Sequence, residues 1–351
     1  MKKEKILIFN ISTDSNNTSL GFAVNWLNNL SEYYEEIDVV TLNKGATHML
    51  NDNINVYSHD SVNTNKITKF IALRKIIKNL LKNNEYRFCL SHMTTSLTLV
   101  SSTISRFQNL QSILWYTHKG PTTLIKKIVL YLGALFSDRI ITASENSFPL
   151  KFKKVTSIGH AINYEYFYRS RINTESKDFL ILSRISRSKN IDESIQGFLN
   201  SVYGESQSIT IVGGPLTKLD ADYESYLKNK YADYPNIRFA GTVPHSNLGT
   251  YIDKAGFHIN NTPKGFYDKS VLETLSGGII NFYMNSEYDK NIHPEYFNIL
   301  KFDGTKDALT KSINLISKLE KDFLIEIIKF SQEKVQEESL KTLHYRILKV
   351  I

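Results

Sequence analysis

The sequence contains a single cysteine, Cys89, among its 351 residues. One cysteine cannot form an intramolecular disulfide, and it cannot build a zinc site that relies on several thiolates. This scarcity is typical of proteins kept in a reducing compartment, so we expect a cytoplasmic protein. Apolar residues make up 41% of the chain and charged residues 22%, a balance that favours a packed globular core over disorder.

Long apolar runs are also missing. The first residues, MKKEKILIFNIS, have a basic start like that of a signal peptide, but their apolar run covers only Ile6–Phe9 and Asn10 follows. A first β-strand fits this pattern better. The longest later run, Ile128–Phe136, is far shorter than the roughly 20 residues that span a bilayer. We therefore expect a soluble protein, attached at most peripherally to the inner face of the cell membrane.

Several nucleotide and metal motifs are absent. No G-x-G-x-x-G follows the first strand, so a nicotinamide cofactor has no fingerprint, and neither G-x-x-x-x-G-K-[ST] nor H-E-x-x-H occurs. The run Asp220-Ala221-Asp222 matches the D-x-D of some metal-dependent glycosyltransferases. It also matches two surface carboxylates in the first turn of a helix, where the helix dipole favours them. We favour the second interpretation.

Positive charge is concentrated in the first half of the chain. The net charge is +8; residues 1–165 carry 19 Lys and Arg against 12 Asp and Glu, whereas residues 166–351 carry 24 against 23. A basic half indicates an anionic partner such as a lipid surface, a nucleic acid or a phosphorylated acceptor. A basic protein without such a partner remains the alternative.

Short apolar runs alternate with longer amphipathic stretches in both halves. Continuous apolar strands between helices predict parallel sheets covered on both faces, hence an α/β fold with two facing Rossmann-like domains. The predicted strands are 5–11, 37–42, 54–58, 87–91, 112–117, 139–143, 155–159, 179–185, 208–212, 237–240, 257–259 and 278–284. The predicted helices are 20–32, 66–82, 94–107, 122–136, 191–202, 221–231, 246–254 and 269–275, with a helical tail over 322–351.

Three segments follow from this pattern. We predict a first Rossmann-like domain over 1–165, a second over 166–330 and a C-terminal helix over 331–351 that packs back on the first domain. Residues 160–178 are polar and aromatic and lack periodicity, as a hinge or linker does. In open α/β sheets ligands bind at the carboxyl ends of the strands.

Two segments of the second half carry candidate ligand-binding groups. Arg184 and Lys189 flank the turn after a predicted strand, and such a pair of fixed cations suits a diphosphate. Residues 265–278, GFYDKSVLETLSGG, combine a loop with a short helix whose start suits an anion. Glu273 lies in that helix among apolar neighbours, and its carboxylate can accept both hydroxyls of a ribose.

The chain resembles family 4 glycosyltransferases of the two-domain GT-B type. Seven blocks match the family's pattern in order: LWYTH at 114–118, DRIITASE at 138–145, VTSIGHAIN at 155–163, SRI with Lys189 at 183–189, IVGGP at 211–215, FAGTV at 239–243 and VLETLSGG at 271–278. The resemblance covers about residues 110–280. Each block alone is weak, whereas seven in order are specific.

The resemblance implies that the domain over 1–165 lies on the acceptor side and that the domain over 166–330 binds the donor. It also implies a role for each matching residue. Arg184 and Lys189 would hold the donor diphosphate, Glu273 the ribose, and the Thr242–Val243 backbone would face the base. His118 would contact the transferred sugar or the reacting phosphate. Gly213 and Lys269 fall in the same donor-binding blocks.

Two departures from the family pattern concern the donor. The family's second glutamate, eight residues before the first, falls here on Gly265 by spacing, or on Lys264 if the Gly-Phe pair is aligned. Neither is a carboxylate, and Asp268 is the nearest substitute. We therefore name Asp268 with His118 as candidate catalytic residues. The first loop has one glycine, Gly21, where the family has a pair; Gly21 still lets the backbone approach a phosphate.

The resemblance implies transfer of a sugar from a UDP- or GDP-linked donor to a saccharide or lipid-linked acceptor. It also implies retention of configuration, with neither a metal ion nor a cofactor, and no nucleic acid partner. The alternative is a catalytically idle, basic Rossmann pair that binds nucleic acid or an anionic surface. Finally, residues 66–82 predict an amphipathic helix with an apolar stripe and lysines beside it, either packed on the sheet or facing an anionic membrane.

Overall fold

The computed structural model describes residues 4–16, 22–59, 66–107, 109–117, 120–121, 123–170, 172 and 174–351, except the side chains of 22, 66, 67 and 103–107. The chain divides into two compact units. Unit 1 comprises Met1–Ala161 and Leu340–Ile351, and unit 2 comprises Ile162–Ser339.

Unit 1 alternates strands and helices along the chain. Its elements are β1 (Lys5–Thr13), α1 (Phe22–Ser31), β2 (Glu36–Lys44), β3 (Ile54–Tyr57), α2 (Lys66–Asn83), β4 (Tyr86–His92), α3 (Thr95–Phe107), β5 (Gln111–Trp115), α4 (Leu124–Phe136), β6 (Arg139–Thr142) and β7 (Val155–Ser157). The sheet order is β3-β2-β1-β4-β5-β6-β7, and neighbouring strands run parallel. The apolar run Ile6–Phe9 is fully buried, as expected of a strand covered on both faces.

Unit 2 repeats this plan with a smaller sheet. Its elements are α5 (Tyr164–Phe167), β8 (Phe179–Leu182), α6 (Ile191–Leu199), β9 (Ile209–Val212), α7 (Lys218–Lys230), β10 (Ile237–Gly241), α8 (Gly249–Ile252), β11 (Phe257–Asn260), α9 (Lys269–Ser276), β12 (Ile280–Tyr283), α10 (Phe297–Leu300), α11 (Lys306–Ile316) and α12 (Lys321–Gln336). The parallel order is β10-β9-β8-β11-β12.

Aromatic rings align the central strands of unit 2. The ring of Phe179 in β8 lies 5.0 Å from that of Phe257 in β11, and Phe282 in β12 follows at 5.8 Å from Phe257. Phe198 of α6 packs on Phe179 at 5.0 Å. Aromatic pairs stabilise a fold beyond the apolar area that they bury. The pair of Phe198 and Phe179 therefore helps to hold α6 against the sheet.

The segment predicted as a linker partly belongs to unit 2. Phe167 in α5 is fully buried, and Arg169 forms an ion pair of 2.5 Å with Asp253. The apolar ring explains this placement, since it enters the core beside Ile252 and Leu248.

The sequence predicts one helical tail over 322–351, but the structure has two helices there. Helix α12 ends at Gln336, Ser339 pairs with Ile162 in a short bridge, and a new helix, α13 (Leu340–Leu348), follows. Leu343 of α13 is fully buried and packs in the core of unit 1 with Leu27 of α1. The expectation that the C-terminal helix packs on the first domain is therefore confirmed.

No helix among the described residues is long and apolar enough to cross a membrane.

Candidate functional site

The carboxyl edge of the unit 2 sheet gathers most of the predicted site residues. Ser183 and Arg184 follow β8, Gly213 follows β9, and Thr242 follows β10. The sheet order reverses between β8 and β11, and a crevice forms at such a switch point.

A buried histidine spans this switch point. Strands β8 and β11 pair only as far as Leu180 and His258, and beyond that the N–H of Leu182 donates to Nε2 of His258 at 3.3 Å. Burial lowers the pKa of His258 to about 4, although a hydrogen bond to Asn281 opposes the shift. The ring is therefore neutral, with Nδ1 donating to Oδ1 of Asn281, and it supports the end of β8.

Close backbone packing joins the ends of β8, β9 and β10. Gly213 has φ of +140°, and a Cβ built on it would lie 1.9 Å from the carbonyl oxygen of Ser183. A Cβ on Gly214 would lie 2.2 Å from Oγ1 of Thr242. Only glycine fits at 213, because both the conformation and the space exclude a side chain. Val243, the next residue after Thr242, is half-buried and packs on the core below.

The buried Lys189 forms an ion pair with the partly buried Asp268 near these strand ends. Nζ of Lys189 lies 2.6 Å from Oδ2 of Asp268, and the lysine side chain is 5% exposed. The same oxygen accepts from Nδ2 of Asn260 at 3.2 Å and from Oγ1 of Thr262 at 3.1 Å. The ring of Phe266 covers the ammonium at 5.4 Å. A cation this buried requires such a partner, so Asp268 fixes the position of Lys189.

Helix α9 brings Glu273 to the same edge. Glu273 is 5% exposed, and its Oε1 lies 2.9 Å from Nε2 of His245. Burial works against the charge on His245, but the hydrogen bond and the charge of Glu273 outweigh it and raise the pKa of His245 above 6.5. At the start of α9, burial lowers the pKa of Lys269 to about 8, and the charge of Glu273 only partly offsets it.

Sequence reasoning missed His245. It lies in a single 3-10 turn, His245–Asn247, which follows β10, and its partner is 28 residues further along the chain. The only available signal was its position just after the Thr242–Val243 block. The sequence shows only a single histidine in a loop, and it does not show that folding brings this histidine to Glu273.

Arg184 stands apart from the Lys189–Asp268 pair. Its side chain is exposed, and its charge helps to lower the pKa of Asp220, after the larger effect of hydrogen bonds from Thr217. Thr217 and Asp220 form a capping box at the start of α7. The interpretation of Asp220 as a carboxylate of a first helical turn is therefore confirmed, whereas Asp222 is an exposed residue in the next turn of α7. No group of three or more His, Cys, Asp or Glu side chains among the described residues is arranged to hold a metal ion.

Two predicted site residues, Gly21 and His118, lie outside the described residues. Of the others, Lys189 meets Asp268 directly, Lys269 and Glu273 share α9, and Gly213 and Thr242 lie at adjoining strand ends. Arg184 lies at the same edge without a contact to Lys189.

Known structures share this fold over nearly the whole chain. HepE from Anabaena in complex with UDP and glucose matches with a TM-score of 0.73 and 13% identity, covering 99% of this chain and 98% of that one. A glycosyltransferase from Rickettsia africae matches at 0.75 and 12%, covering 100% and 98%. Sucrose-phosphate synthase from Thermosynechococcus elongatus matches at 0.71 and 14%, covering 99% and 97%.

No protein-family model matches the sequence, and no curated protein matches it. The structural likeness confirms the predicted fold: two Rossmann-like units, as in GT-B glycosyltransferases.

Proposed function

We propose that this protein is a glycosyltransferase that moves a sugar from a nucleotide-diphosphosugar to a saccharide or lipid-linked acceptor. The observation that carries the proposal is the pairing of cations and carboxylates around α9. Lys189 and Lys269 supply positive charge there, and Asp268 and Glu273 supply hydrogen-bond acceptors. A donor with a diphosphate, a ribose and a sugar needs both kinds of group. HepE, of the same fold, is described in complex with UDP and glucose.

The donor diphosphate would bind between the turn after β8 and the start of α9. In our proposal Arg184, Lys189 and Lys269 neutralise the phosphate oxygens, and Gly213 lets the β9 backbone approach them. A bound phosphate would replace part of the contact that Asp268 makes with Lys189. Asp268 would then turn an oxygen towards the hydroxyls of the transferred sugar.

The nucleoside would lie on the β10 side of the edge. Glu273 would accept hydrogen bonds from the ribose hydroxyls, and the Thr242–Val243 backbone would face the base. The ribose has to compete with His245 for Glu273, because the two side chains are paired at 2.9 Å. This competition gives the site a built-in dependence on the charge of His245.

In the reaction that we propose, the bond between the anomeric carbon and the diphosphate oxygen breaks, and the acceptor oxygen forms a new bond to that carbon on the same face. The nucleoside diphosphate leaves with the electron pair of the broken bond, and its departing oxygen takes up the proton that the acceptor hydroxyl releases. Fixed cations stabilise the leaving charge more in the transition state than in the ground state. No metal ion is part of this proposal, and His118 is retained as a candidate catalytic residue.

The proposal is tested by measuring the release of nucleoside diphosphate. The donors are a panel of UDP- and GDP-sugars, and the acceptors are saccharides and lipid-linked saccharides. Changing Arg184→Ala and Lys189→Ala together should lower turnover about 100-fold or more. Because Lys189 is buried, the thermal midpoint of the variant is measured alongside, and Arg184→Ala alone provides a variant whose altered side chain is exposed.

The matched control is Arg238→Ala with Lys311→Ala, which removes one exposed arginine and one exposed lysine of the same unit. This control should keep wild-type turnover. Near-wild-type transfer by a folded Arg184→Ala/Lys189→Ala variant would refute the assignment. Tight oligonucleotide binding without any nucleotide binding would do the same.

A further inference from the structure

Helix α4 of unit 1 presents an apolar face to solvent. Leu124 and Ile125 are 73% and 76% exposed, and Ile128, Tyr131 and Leu135 are each exposed by more than two-fifths. These side chains recur at helical spacing, so they share one side of the helix. We call these five residues the α4 stripe.

The opposite side of α4 is the one that packs in the core. Leu130, Gly133 and Ala134 are buried, and a Cβ on Gly133 would lie 3.3 Å from the carbonyl oxygen of Thr95 in α3. The small residues let the two helices approach closely. A helix that packs with one face normally shows polar residues on the other, whereas α4 is apolar on both.

Exposed lysines lie on α4 and on a segment beside the α4 stripe. Lys126 and Lys127 are exposed on the helix itself. The ring of Phe152 lies 5.9 Å from that of Tyr131, so the segment that carries the exposed Lys151 and Lys153 runs beside the stripe. Residues 123–137 and 146–157 contain neither Asp nor Glu.

We propose that the α4 stripe docks on an anionic lipid surface. The apolar side chains would enter the boundary between head groups and acyl chains, and the lysines would meet the anionic head groups. This combination of an apolar face with a basic rim is typical of helices that lie in the membrane interface. Tyr131 also fits, because tyrosine is enriched at that depth.

Charge complementarity selects lipid over a protein partner. Interfaces with protein partners usually carry charges of both signs at their rim, whereas residues 123–137 and 146–157 carry lysines and no acidic residue. The sequence had directed attention to α2, but Leu73, Ile77 and Leu81 of α2 are buried in the core. Of the two interpretations of that stripe, packing on the sheet is confirmed for these three residues, whereas Phe70 at its start is 39% exposed. We therefore propose α4, and not α2, as the helix that faces the membrane.

Sedimentation with vesicles tests the docking surface. The wild-type protein should bind phosphatidylcholine vesicles that contain phosphatidylglycerol, should bind pure phosphatidylcholine far more weakly, and should lose binding as salt rises. Ile125→Gln with Ile128→Gln removes apolar area without changing charge, and should lower vesicle affinity about tenfold or more. Vesicle affinity should fall by a similar factor when four lysines are neutralised together, in the variant Lys126→Gln, Lys127→Gln, Lys151→Gln and Lys153→Gln.

Each variant has a matched control. Leu219→Gln with Tyr226→Gln alters two exposed apolar residues of α7, with exposures of 80% and 47% against 76% and 49% for Ile125 and Ile128. Lys69→Gln, Lys75→Gln, Lys78→Gln and Lys82→Gln remove four lysines from α2, also in unit 1. Both controls should keep vesicle binding within about twofold of wild type.

Three results would overturn the proposal. One is equal binding to neutral and anionic vesicles, and another is a loss of binding in the α2 control as large as that in the α4 lysine variant. The third is a wild-type dimer, seen by ultracentrifugation, that Ile125→Gln with Ile128→Gln converts to monomer while vesicle binding stays unchanged. That result would assign the stripe to a second copy of the chain. None of these outcomes bears on nucleotide binding by unit 2.

Discussion

The carboxylate of Glu273 has a protein partner at the position where we propose that it holds a ribose. His245 occupies it at 2.9 Å, and the imidazole side chain is 43% exposed. Because the pKa of His245 is raised above 6.5, its charged form is favoured in the folded protein. That contribution to stability is present below pH 6.5 and is lost as the pH rises through the raised pKa.

The affinity for the nucleotide should rise as His245 loses its charge, while the stability contribution of the His245–Glu273 pair falls. Below the pKa of His245 the charged imidazole holds Glu273 more tightly, so a ribose competes less well. We therefore divide the UDP dissociation constant of the wild type by that of His245→Gln, and expect this ratio to rise about two- to fivefold as the pH falls from 8 to 6. The factor is modest because the histidine is partly exposed. Calorimetry at each pH measures the ratio, which cancels protonation of the nucleotide itself. A flat ratio would contradict the competition.

At the scale of elements, the ends of β8 and β9 depend on Gly213. Gly213→Ala forces a Cβ against the carbonyl oxygen of Ser183 and imposes an unfavourable φ. We expect a loss of about 2–4 kcal/mol in the free energy of unfolding, together with weaker nucleotide binding, since the turn that carries Arg184 must shift.

Gly241→Ala is the matched control. Gly241 also has a positive φ, +71°, at a strand end, but a Cβ there meets nothing within 4 Å. We therefore expect strain alone, about 1 kcal/mol. Denaturant unfolding of both variants measures the difference, and equal losses would show that the contact with Ser183 has no effect of its own.

The elements around the site differ in how far the sequence predicts them. The glycines after Val212 predict the end of β9 directly, because a tight backbone turn leaves a local signal. The apolar run from Phe179 predicts β8 but not its end, since the predicted strand continues to 185 and β8 ends at Leu182. The ion pair of Lys189 with Asp268 joins residues 79 positions apart, and no local pattern encodes that distance. The break between α12 and α13 was missed because helix-forming residues continue through it.

The same limit applies to the outer face of α4. The run Ile128–Phe136 is apolar throughout, so periodicity alone cannot say which side packs. Gly133 and Ala134 decide it by letting α3 approach, and that requires the neighbour's position. The stripe on α2 left the same question open, since its apolar residues suited either the sheet or a membrane, and only the position of the sheet shows that Leu73, Ile77 and Leu81 are buried.

At the scale of the whole molecule, the chain closes unit 1 with its last helix. Leu343 and Ile347 of α13 are buried in the core of unit 1, next to Leu27 and Tyr34. The chain thus leaves unit 1 after Ala161 and returns to it at Leu340. The stability of unit 1 therefore depends on residues at both ends of the sequence.

Leu343→Ala should destabilise unit 1 selectively. Removing a fully buried leucine costs about 2–5 kcal/mol, and hydrogen exchange should accelerate in β1, β4 and β5 while unit 2 stays protected. Leu324→Ala in α12, 5% exposed, is the matched change in unit 2 and should give the reverse pattern. Uniform acceleration across both units would show that they unfold as one.

The central claim is that unit 2 binds the nucleotide donor through α9, and calorimetry with UDP and GDP tests it most directly. The wild type should bind at least one of them, and Glu273→Ala should weaken that binding about tenfold or more, because a charged acceptor for the ribose is lost. Asp268→Ala should bind the bare nucleotide within about threefold of wild type, since the diphosphate takes over Lys189, and should lose turnover or sugar choice instead. Unchanged binding by Glu273→Ala, or none by the wild type, would contradict the claim.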